Sequence, residues 1–153
     1  MVDLLLPNLR SAHNVGSIFR TAEAAGVTKI YLAGYTPAPV DRFGRVNSTI
    51  TKTALGAEKT LVWEAVPEIL PLINNLKAEN YKIIALEQAP NSINYRQIEL
   101  TDKMLVVVGN EVEGVAPEIL AECDQIAEIP LRGSKESLNV SVAVGIFLFQ
   151  ILL

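Results

Sequence analysis

The segment 103-KMLVVVGNEVEG-114 decides the fold of this chain. Its first half, Lys103–Val108, is a continuous apolar run that ends in three valines, which is typical of a parallel strand buried on both faces. Its second half, Gly109–Gly114, is a turn in which two glycines enclose an asparagine, a valine and two glutamates. In α/β domains, ligands bind in crevices at the carboxyl ends of such strands. The segment therefore predicts a buried parallel sheet with a ligand crevice at this edge.

Strand and helix patterns alternate on both sides of this segment. Further strands are predicted at Val2–Leu6, Thr28–Ala33, Lys82–Leu86 and Gln125–Ile129. Helices are predicted at Ala12–Ala25 (with Gly26 as the C-cap), Pro67–Glu79, Pro117–Glu122 and Asn139–Leu153, and a loop at Gly34–Arg45. This order predicts an α/β fold with a mostly parallel sheet and helices on both faces.

Length and composition limit the classes of protein that the chain can belong to. It has 153 residues, of which 50% are hydrophobic and 20% charged, so we expect a single domain (1–153) with a packed core. The only cysteine is Cys123 and the only histidine is His13, which excludes an intramolecular disulfide and a cysteine-rich or multi-histidine metal site. Asp3 and Pro7 interrupt the apolar start, and no apolar run is long enough to span a membrane. We therefore expect a cytoplasmic protein without a metal or a membrane partner.

The last predicted helix is apolar on all sides. Eleven of the 15 residues in Asn139–Leu153 are apolar, and they do not form a single stripe. A helix of this kind needs burial all round, although the last helix of a small α/β domain normally has a solvated outer face. Burial by a second copy of the chain predicts a homodimer. The alternative is a helix that lies entirely within its own core.

Two polar motifs lie near the ends of the chain. In 14-NVGSIFR-20, Asn14 can cap a helix, Gly16 permits a close approach, and Arg20 is either a solvated charge or a fixed anion clamp. In 129-IPLRGSKESLNVS-141, the apolar beginning can line a pocket for a flat ring. Ser137 and Asn139 fall where the last helix begins; one of them suffices as its cap, and the surplus indicates a site.

The glycine turn after the central strand is a third motif. It contains Glu111 and is neither a dinucleotide fingerprint nor a P-loop. A carboxylate repels phosphate but suits a hydroxyl-rich or cationic ligand. By itself, the turn is also compatible with an ordinary strand–helix junction.

The three motifs together resemble those of the SpoU (TrmH-like) branch of the SPOUT RNA methyltransferases. The resemblance rests on N-x-G-x-x-x-R, G-N-E-x-x-G and I-P-L-x-G-x-x-x-S-L-N-V-S in the family's order, from about Asn8 to Phe147, and Thr53–Leu61 is similar to a further family block. It implies a deep C-terminal trefoil knot, S-adenosylmethionine as cofactor, a homodimer, and methylation of a ribose 2′-hydroxyl in tRNA or rRNA. We expect no separate RNA-binding extension, in which case the catalytic domain itself or a partner would recognise the RNA.

The resemblance also implies which residues act. The implied catalytic residues are Asn14, Arg20, Glu111, Ser137 and Asn139; the implied cofactor-binding residues, acting largely through main chain, are Leu86, Gly109, Ile129, Leu131 and Leu138. The arginine of the first motif has been proposed as the general base in this family. A guanidinium is nearly always protonated, so phosphate binding and alkoxide stabilisation are the safer roles for Arg20. His13 is an alternative base, because imidazole titrates near neutral pH.

The distribution of charge is compatible with an RNA substrate. The whole chain carries −4, which taken alone disfavours a nucleic-acid partner. Residues 1–60, however, hold seven basic and four acidic residues, and residues 129–153 hold two basic and one acidic, so the acidity lies between them. Two alternatives to the enzyme remain: a catalytically silent RNA-binding dimer on the same fold, and a small-molecule or nucleotide-binding α/β protein.

Overall fold

The sheet has seven strands, and every neighbouring pair is parallel. The structure is a computed structural model that describes residues 1–153. The strands are β1 (Val2–Pro7), β2 (Lys29–Ala33), β3 (Val62–Val66), β4 (Lys82–Leu86), β5 (Ile93–Asn94), β6 (Met104–Val108) and β7 (Gln125–Glu128). Their order is β3-β2-β1-β6-β4-β7-β5, so β6, the strand of the apolar run before the glycine turn, lies at the centre. The parallel sheet predicted from the sequence is confirmed.

Helices cover both faces of the sheet, as predicted. They are α1 (Ala12–Ala25), α2 (Ser48–Ala54), α3 (Ala57–Thr60), α4 (Ile69–Ala78), α5 (Pro117–Leu120) and α6 (Val140–Leu152), with a 3₁₀ turn at Tyr95–Gln97. Alternate residues of β6 enter two separate cores: Val106 packs with α1, α2, α3 and α6, whereas Val107 packs with α4 and α5. A central strand that feeds two cores has no polar face, which explains its unbroken apolar run.

The first helix begins and ends where the sequence predicts, but its cap differs. Ser11 is the N-cap, since its hydroxyl accepts the backbone N–H of Asn14 at 3.1 Å. The expectation that Asn14 caps the helix is therefore wrong, and its side chain is left for other contacts. Gly26 ends the helix with φ +86°, as a C-cap glycine does.

The first and second helices approach closely at Gly16. A Cβ at this position would lie 2.7 Å from the backbone oxygen of Ile50 in α2 and 1.8 Å from the Thr53 hydroxyl. The glycine of the first motif therefore serves helix packing. It brings the start of α1 and the Thr53–Leu61 block into one layer.

Several elements differ from the sequence-based prediction. β3, β5, α2 and α3 were not predicted, because β3 is a half-exposed edge strand, β5 has two residues, and α2 (STITKTA) is rich in β-branched residues. α4 begins at Ile69 rather than Pro67, since Glu68 is its N-cap, and β7 ends at Glu128, before Pro130. α6 begins at Val140 because Asn139 is its cap.

One side of α6 faces solvent within a single chain. Val144, Phe147, Leu148 and Ile151 are buried, whereas Val142, Ile146, Phe149 and Leu153 are exposed. The alternative in which the helix lies wholly within its own core is therefore wrong. None of the helices is both long enough and apolar enough to cross a bilayer.

Candidate active site

A cavity of about 570 Å³ opens at the carboxyl edge of the sheet. The ends of β4, β6 and β7 form its floor, and the segment that leads into α6 forms its wall. This volume is in the range of small-molecule and cofactor sites. The crevice that the glycine turn predicts is present at this position.

The five residues implied to bind a cofactor all line this cavity. Leu86, Gly109 and Ile129 follow or end three neighbouring strands, and Leu131 and Leu138 lie on the loop before α6. Parallel strands that end together present their last carbonyl and amide groups to the same space, while the leucine and isoleucine side chains supply apolar walls. Their role as cofactor ligands stays a prediction.

Glu87 fixes the shape of the glycine turn, a role that the sequence argument missed. Its carboxylate accepts the Val115 backbone N–H at 2.8 Å and the Gln88 N–H at 2.7 Å. A Cβ on Gly114, which has φ +70°, would lie 2.2 Å from this carboxylate, and one on Gly109 would lie 3.0 Å from it. The two glycines thus leave room for the Glu87 carboxylate, which lies on the loop that follows β4. An acid placed directly after a buried strand is the signal that indicates such a residue.

Glu111 joins the glycine turn to the start of α1. Its carboxylate oxygens accept the backbone N–H groups of Arg10 (3.2 Å) and Ser11 (3.3 Å). Burial raises the pKa of Glu111, but hydrogen bonds from backbone N–H groups and the Asn14 side chain outweigh burial and hold it below its usual value. This carboxylate is therefore ionised at neutral pH and oriented by the backbone.

Asn14 connects Glu111 to the last motif. The Asn139 side-chain amide donates to Asn14 Oδ1 at 3.2 Å, although the two residues are 125 positions apart. Asn139 Oδ1 in turn accepts the backbone N–H of Ser141 at 2.9 Å and its hydroxyl at 2.6 Å, so Asn139 is also the cap of α6. The cap is thus confirmed, and the catalytic role of this asparagine stays a prediction.

Asn110 links the glycine turn to the loops that follow β1 and β2. Its side-chain oxygen accepts the backbone N–H groups of Val112 and Glu113, while its amide donates to the Asn8 backbone oxygen and, at 3.1 Å, to the Tyr35 hydroxyl. No sequence pattern marks this residue as distinct from other turn asparagines. An asparagine in a tight turn is ordinary, and only the fold reveals its two distant partners.

Two implied catalytic residues are placed differently. Ser137 is exposed and lines the cavity. Arg20 is exposed on α1 and lies six residues (about 9 Å along the helix axis) beyond Asn14, and its side chain forms no hydrogen bond or ion pair. The structure thus brings Asn14, Glu111, Ser137 and Asn139 to one edge of the sheet and leaves Arg20 apart from them within one chain.

The electrostatics of the cavity favour a ligand with positive charge. The carboxylates of Glu87, Glu111, Glu128 and Glu136 line it together with the exposed hydroxyl of Ser137. No cluster of histidine, cysteine and acidic side chains in residues 1–153 has the arrangement of a metal site. The donors, the apolar walls and the acids suit a ligand that combines a flat ring, hydroxyl groups and a cation.

The chain is similar to known proteins over almost its whole length. A profile of the SpoU rRNA Methylase family matches residues 1–149. A tRNA (guanosine(18)-2′-O)-methyltransferase of Aquifex aeolicus is 35% identical over 143 residues, which is 94% of this chain and 64% of the relative. The 23S rRNA (guanosine-2′-O-)-methyltransferase RlmB of Escherichia coli K12 is 34% identical over 147 residues, 96% of this chain and 58% of the relative. The chain thus spans about three fifths of the length of these curated relatives.

Solved structures share the fold. The A. aeolicus TrmH/SpoU tRNA modifying enzyme superposes with a TM-score of 0.86 and 30% identity, covering 99% of this chain and 73% of that one. An AdoMet-bound rRNA methyltransferase from Sinorhizobium meliloti gives 0.86 at 27% identity, covering 98% and 55%. The family that the three motifs resemble and the family that the comparisons find are the same.

Proposed function

This chain belongs to the SpoU rRNA Methylase family, and from that premise we propose that it transfers a methyl group from S-adenosylmethionine to the 2′-hydroxyl of a ribose in tRNA or rRNA. The observation that carries the proposal is the Asn139–Asn14 hydrogen bond of 3.2 Å beside the cavity. It joins the first and third motifs at one point, and the ionised Glu111 adds the second motif. Their meeting at a cofactor-sized cavity supports an active site.

The cavity fits S-adenosylmethionine in size, shape and charge. A volume of about 570 Å³ accommodates a nucleoside with an amino-acid side arm. Ile129 and Leu131 would face the adenine ring, and the main chain at Leu86 and Gly109 would read its polar edge. The acidic lining suits the sulfonium and ammonium groups. When bound, this cofactor supplies a methyl group that is already activated on a positively charged sulfur.

The protein then has to orient and deprotonate the ribose hydroxyl. Glu111 holds the start of α1 against the glycine turn, so the Asn14 and Asn139 amides are fixed before the RNA binds. Ser137 offers a further hydroxyl at the cavity rim. We assign Arg20 the binding of the adjacent phosphate and the stabilisation of the developing alkoxide, since its guanidinium stays protonated. His13, exposed next to Asn14, is the alternative base.

We also propose a homodimer that buries the exposed side of α6. Val142, Ile146, Phe149 and Leu153 are spaced by four, three and four residues, so they form one stripe. Their exposed fractions are 50, 38, 46 and 84%, which is unusual for a monomer surface. A self-complementary contact of this stripe would also bring a partner chain near Arg20, whose helix packs against α6.

Sedimentation equilibrium tests the dimer. The wild-type chain should sediment at twice its 16.6 kDa mass, and the Ile146→Asp variant at the monomer mass. Leu100→Asp is the matched control, because Leu100 is an equally apolar exposed residue outside α6 and should leave the mass unchanged. A wild-type chain that sediments as a monomer would refute the dimer.

The trefoil knot that the resemblance implies is a further part of the proposal. β6 and β7 both pair with β4, and β5 pairs with β7 at the edge, so the later strand β7 lies between β4 and β5 and the connection from β5 to β6 crosses over it. This path supports a knot. Pulling the two termini apart should give a contour shorter than the roughly 540 Å of a fully extended chain of this length, because a tightened knot retains residues.

Methyl transfer itself is tested with methyl-labelled S-adenosylmethionine and total RNA. We expect the label in a 2′-O-methylnucleoside after digestion; the two relatives are named for guanosine, so guanosine is the first product to seek. Cofactor binding without transfer to any RNA would favour the catalytically silent RNA-binding dimer. A chain that binds no S-adenosylmethionine would contradict the proposal.

A further inference from the structure

A short hairpin beyond the cavity presents an aromatic ring with two arginines. The base of the hairpin is closed by an antiparallel bridge between Val40 and Val46, on the loop that follows β2. Phe43 lies at its tip with 66% of its surface exposed. The guanidinium carbons of Arg42 and Arg45 lie 4.7 and 5.1 Å from the centre of this ring. We call residues Val40–Val46 the arginine–phenylalanine hairpin.

The hairpin has a defined conformation. Asp41 accepts the backbone N–H groups of Phe43 (2.8 Å) and Arg45 (3.0 Å), and its second oxygen pairs with Arg45 Nε at 2.7 Å. Hydrogen bonds from the Arg45 and Phe43 groups hold the pKa of Asp41 below its usual value, so this carboxylate stays ionised. Gly44 completes the turn with φ +78° and donates its N–H to the Asp41 backbone oxygen at 3.0 Å. These bonds keep the phenyl ring in solvent instead of letting it fold onto the core.

The same loop begins at the candidate active site. Thr36 is buried and donates to the Leu6 backbone oxygen at 2.7 Å, which ties the loop to the end of β1. Its neighbour Tyr35 is 56% exposed, and its hydroxyl accepts the Asn110 amide at the cavity wall. That hydroxyl also raises the pKa of the adjacent Arg10 guanidinium. Two exposed aromatic rings, Tyr35 and Phe43, thus lie along one loop at the edge of the sheet where the cavity opens, and two arginines flank the second ring.

We propose that this loop, from Tyr35 to the arginine–phenylalanine hairpin, binds unpaired nucleotides that flank the methylated ribose. Exposed aromatic rings stack on bases of any sequence, and arginines beside them bind the phosphates, which is how single-stranded RNA is commonly held. A protein partner would instead need a contiguous apolar patch to bury, whereas here two arginines flank the Phe43 ring. The inference rests on the proposed RNA substrate and adds which surface holds it.

Binding of a labelled oligouridine 12-mer, measured by fluorescence anisotropy, tests this surface. Phe43→Ala should weaken binding about tenfold, because it removes one base-stacking platform. Leu100→Ala is the matched control; it removes an exposed apolar side chain at the opposite edge and should bind like the wild type. A wild-type chain that fails to bind the oligonucleotide, or a Phe43→Ala variant that binds as the wild type does, would overturn the inference.

The arginines are tested by the salt dependence of the same binding. Arg42→Gln should lower the slope of log affinity against log salt by about 0.7, the value for one single-strand phosphate contact. Lys103→Gln is the control, since Lys103 also lies near an aromatic ring (5.6 Å from Tyr81) but at the other edge. Equal slopes for wild type and Arg42→Gln would contradict a phosphate role.

The outcomes separate this inference from the proposed function. If Phe43→Ala keeps the wild-type kcat/KM for RNA methylation, the enzyme stands and the surface is wrong. If no methyl transfer is found but Phe43→Ala still loses oligonucleotide binding, the surface stands and the enzyme is wrong.

Discussion

The two edges of the sheet use polar residues in opposite ways. At the amino edge, polar groups pair with one another: Tyr81 donates to the buried Asp3 at 3.0 Å, and Lys29 pairs with Glu64 at 2.7 Å across neighbouring strands. At the carboxyl edge, Glu111 and Asn110 bond the backbone of loops, and their remaining surface lines a cavity. Side-chain pairs close the amino edge, whereas side chain–backbone bonds, together with the Asn139–Asn14 pair, surround an open cavity at the carboxyl edge.

This difference separates stability from function along the same strands. Parallel strands point their carboxyl ends to one edge, so loops with different partners meet there and can form a site. The polar pairs of the amino edge join neighbouring elements of the fold and do not line the cavity at the carboxyl edge. We therefore expect substitutions at the carboxyl edge to change activity more than stability, and substitutions at the amino edge to do the reverse.

Arg20 provides the largest expected effect, although it stands outside the cluster within one chain. Arg20→Ala should lower the methyl-transfer rate about 100-fold or more, the usual cost of removing one donor to a developing oxyanion. Cofactor affinity should stay unchanged, because Arg20 does not line the cavity. Single-turnover kinetics measure the rate, and Arg96→Ala, another exposed arginine, is the control. Near-wild-type activity of Arg20→Lys would rule out a specific guanidinium role.

Gly114 tests whether the carboxyl edge depends on its backbone geometry. Alanine at this position would have to adopt a left-handed φ of +70°, and its Cβ would lie 2.2 Å from the Glu87 carboxylate. The strain of about 1–3 kcal/mol should be relieved by moving the turn, so cofactor affinity should fall about tenfold or more. Calorimetric titration with S-adenosylmethionine measures this. Gly133→Ala serves as the control, because nothing lies within 4 Å of its added Cβ; if both variants bind alike, the turn is not rigid.

The carboxyl edge was predicted from the sequence better than the layer beside it. The apolar run of β6, the glycine turn and the Asn139 cap follow local rules, and the family resemblance links them. β3 and α2 were not predicted because their stability depends on distant contacts and not on a local pattern. β3 pairs with β2, and α2 packs on Gly16 of α1. Asn110 and Glu87 were missed for the same reason, since each also bonds a residue that lies 28 or more positions away.

Tyr81 tests the amino edge. Tyr81→Phe removes the only side-chain donor to the buried Asp3, whose other oxygen has no hydrogen-bond partner, so unfolding free energy should fall by about 1–3 kcal/mol. Urea denaturation measures the loss. Tyr95→Phe is the control, because its hydroxyl bonds Arg96 at an exposed site and should cost little. Cofactor affinity should be unchanged in both variants; a clear loss in Tyr81→Phe would show that the two edges are coupled.

The smallest expected effect is a pair of opposite pH dependences. Burial raises the pKa of Asp3 above 3.8, despite the Tyr81 hydrogen bond, whereas backbone hydrogen bonds lower that of Glu111 below 4.5. The folded state therefore binds the Asp3 proton more tightly than the unfolded chain, so this group's contribution to stability falls as pH rises above about 3.8. Glu111 contributes above about pH 4.5, and its contribution is lost as pH falls through its lower folded pKa.

Urea midpoints from pH 3 to 7 distinguish the two carboxyl groups. On acidification, the stability of the wild type relative to Glu111→Gln should decrease, and its stability relative to Asp3→Asn should increase. Burial and the neighbouring Asp3 raise the pKa of Tyr81 to about 12. The contribution of this group to stability should therefore be lost between pH 10 and 12, and urea midpoints of Tyr81→Phe over that range should lack this loss. If both acid variants change with pH in the same direction, the opposite environments inferred for the two edges are wrong.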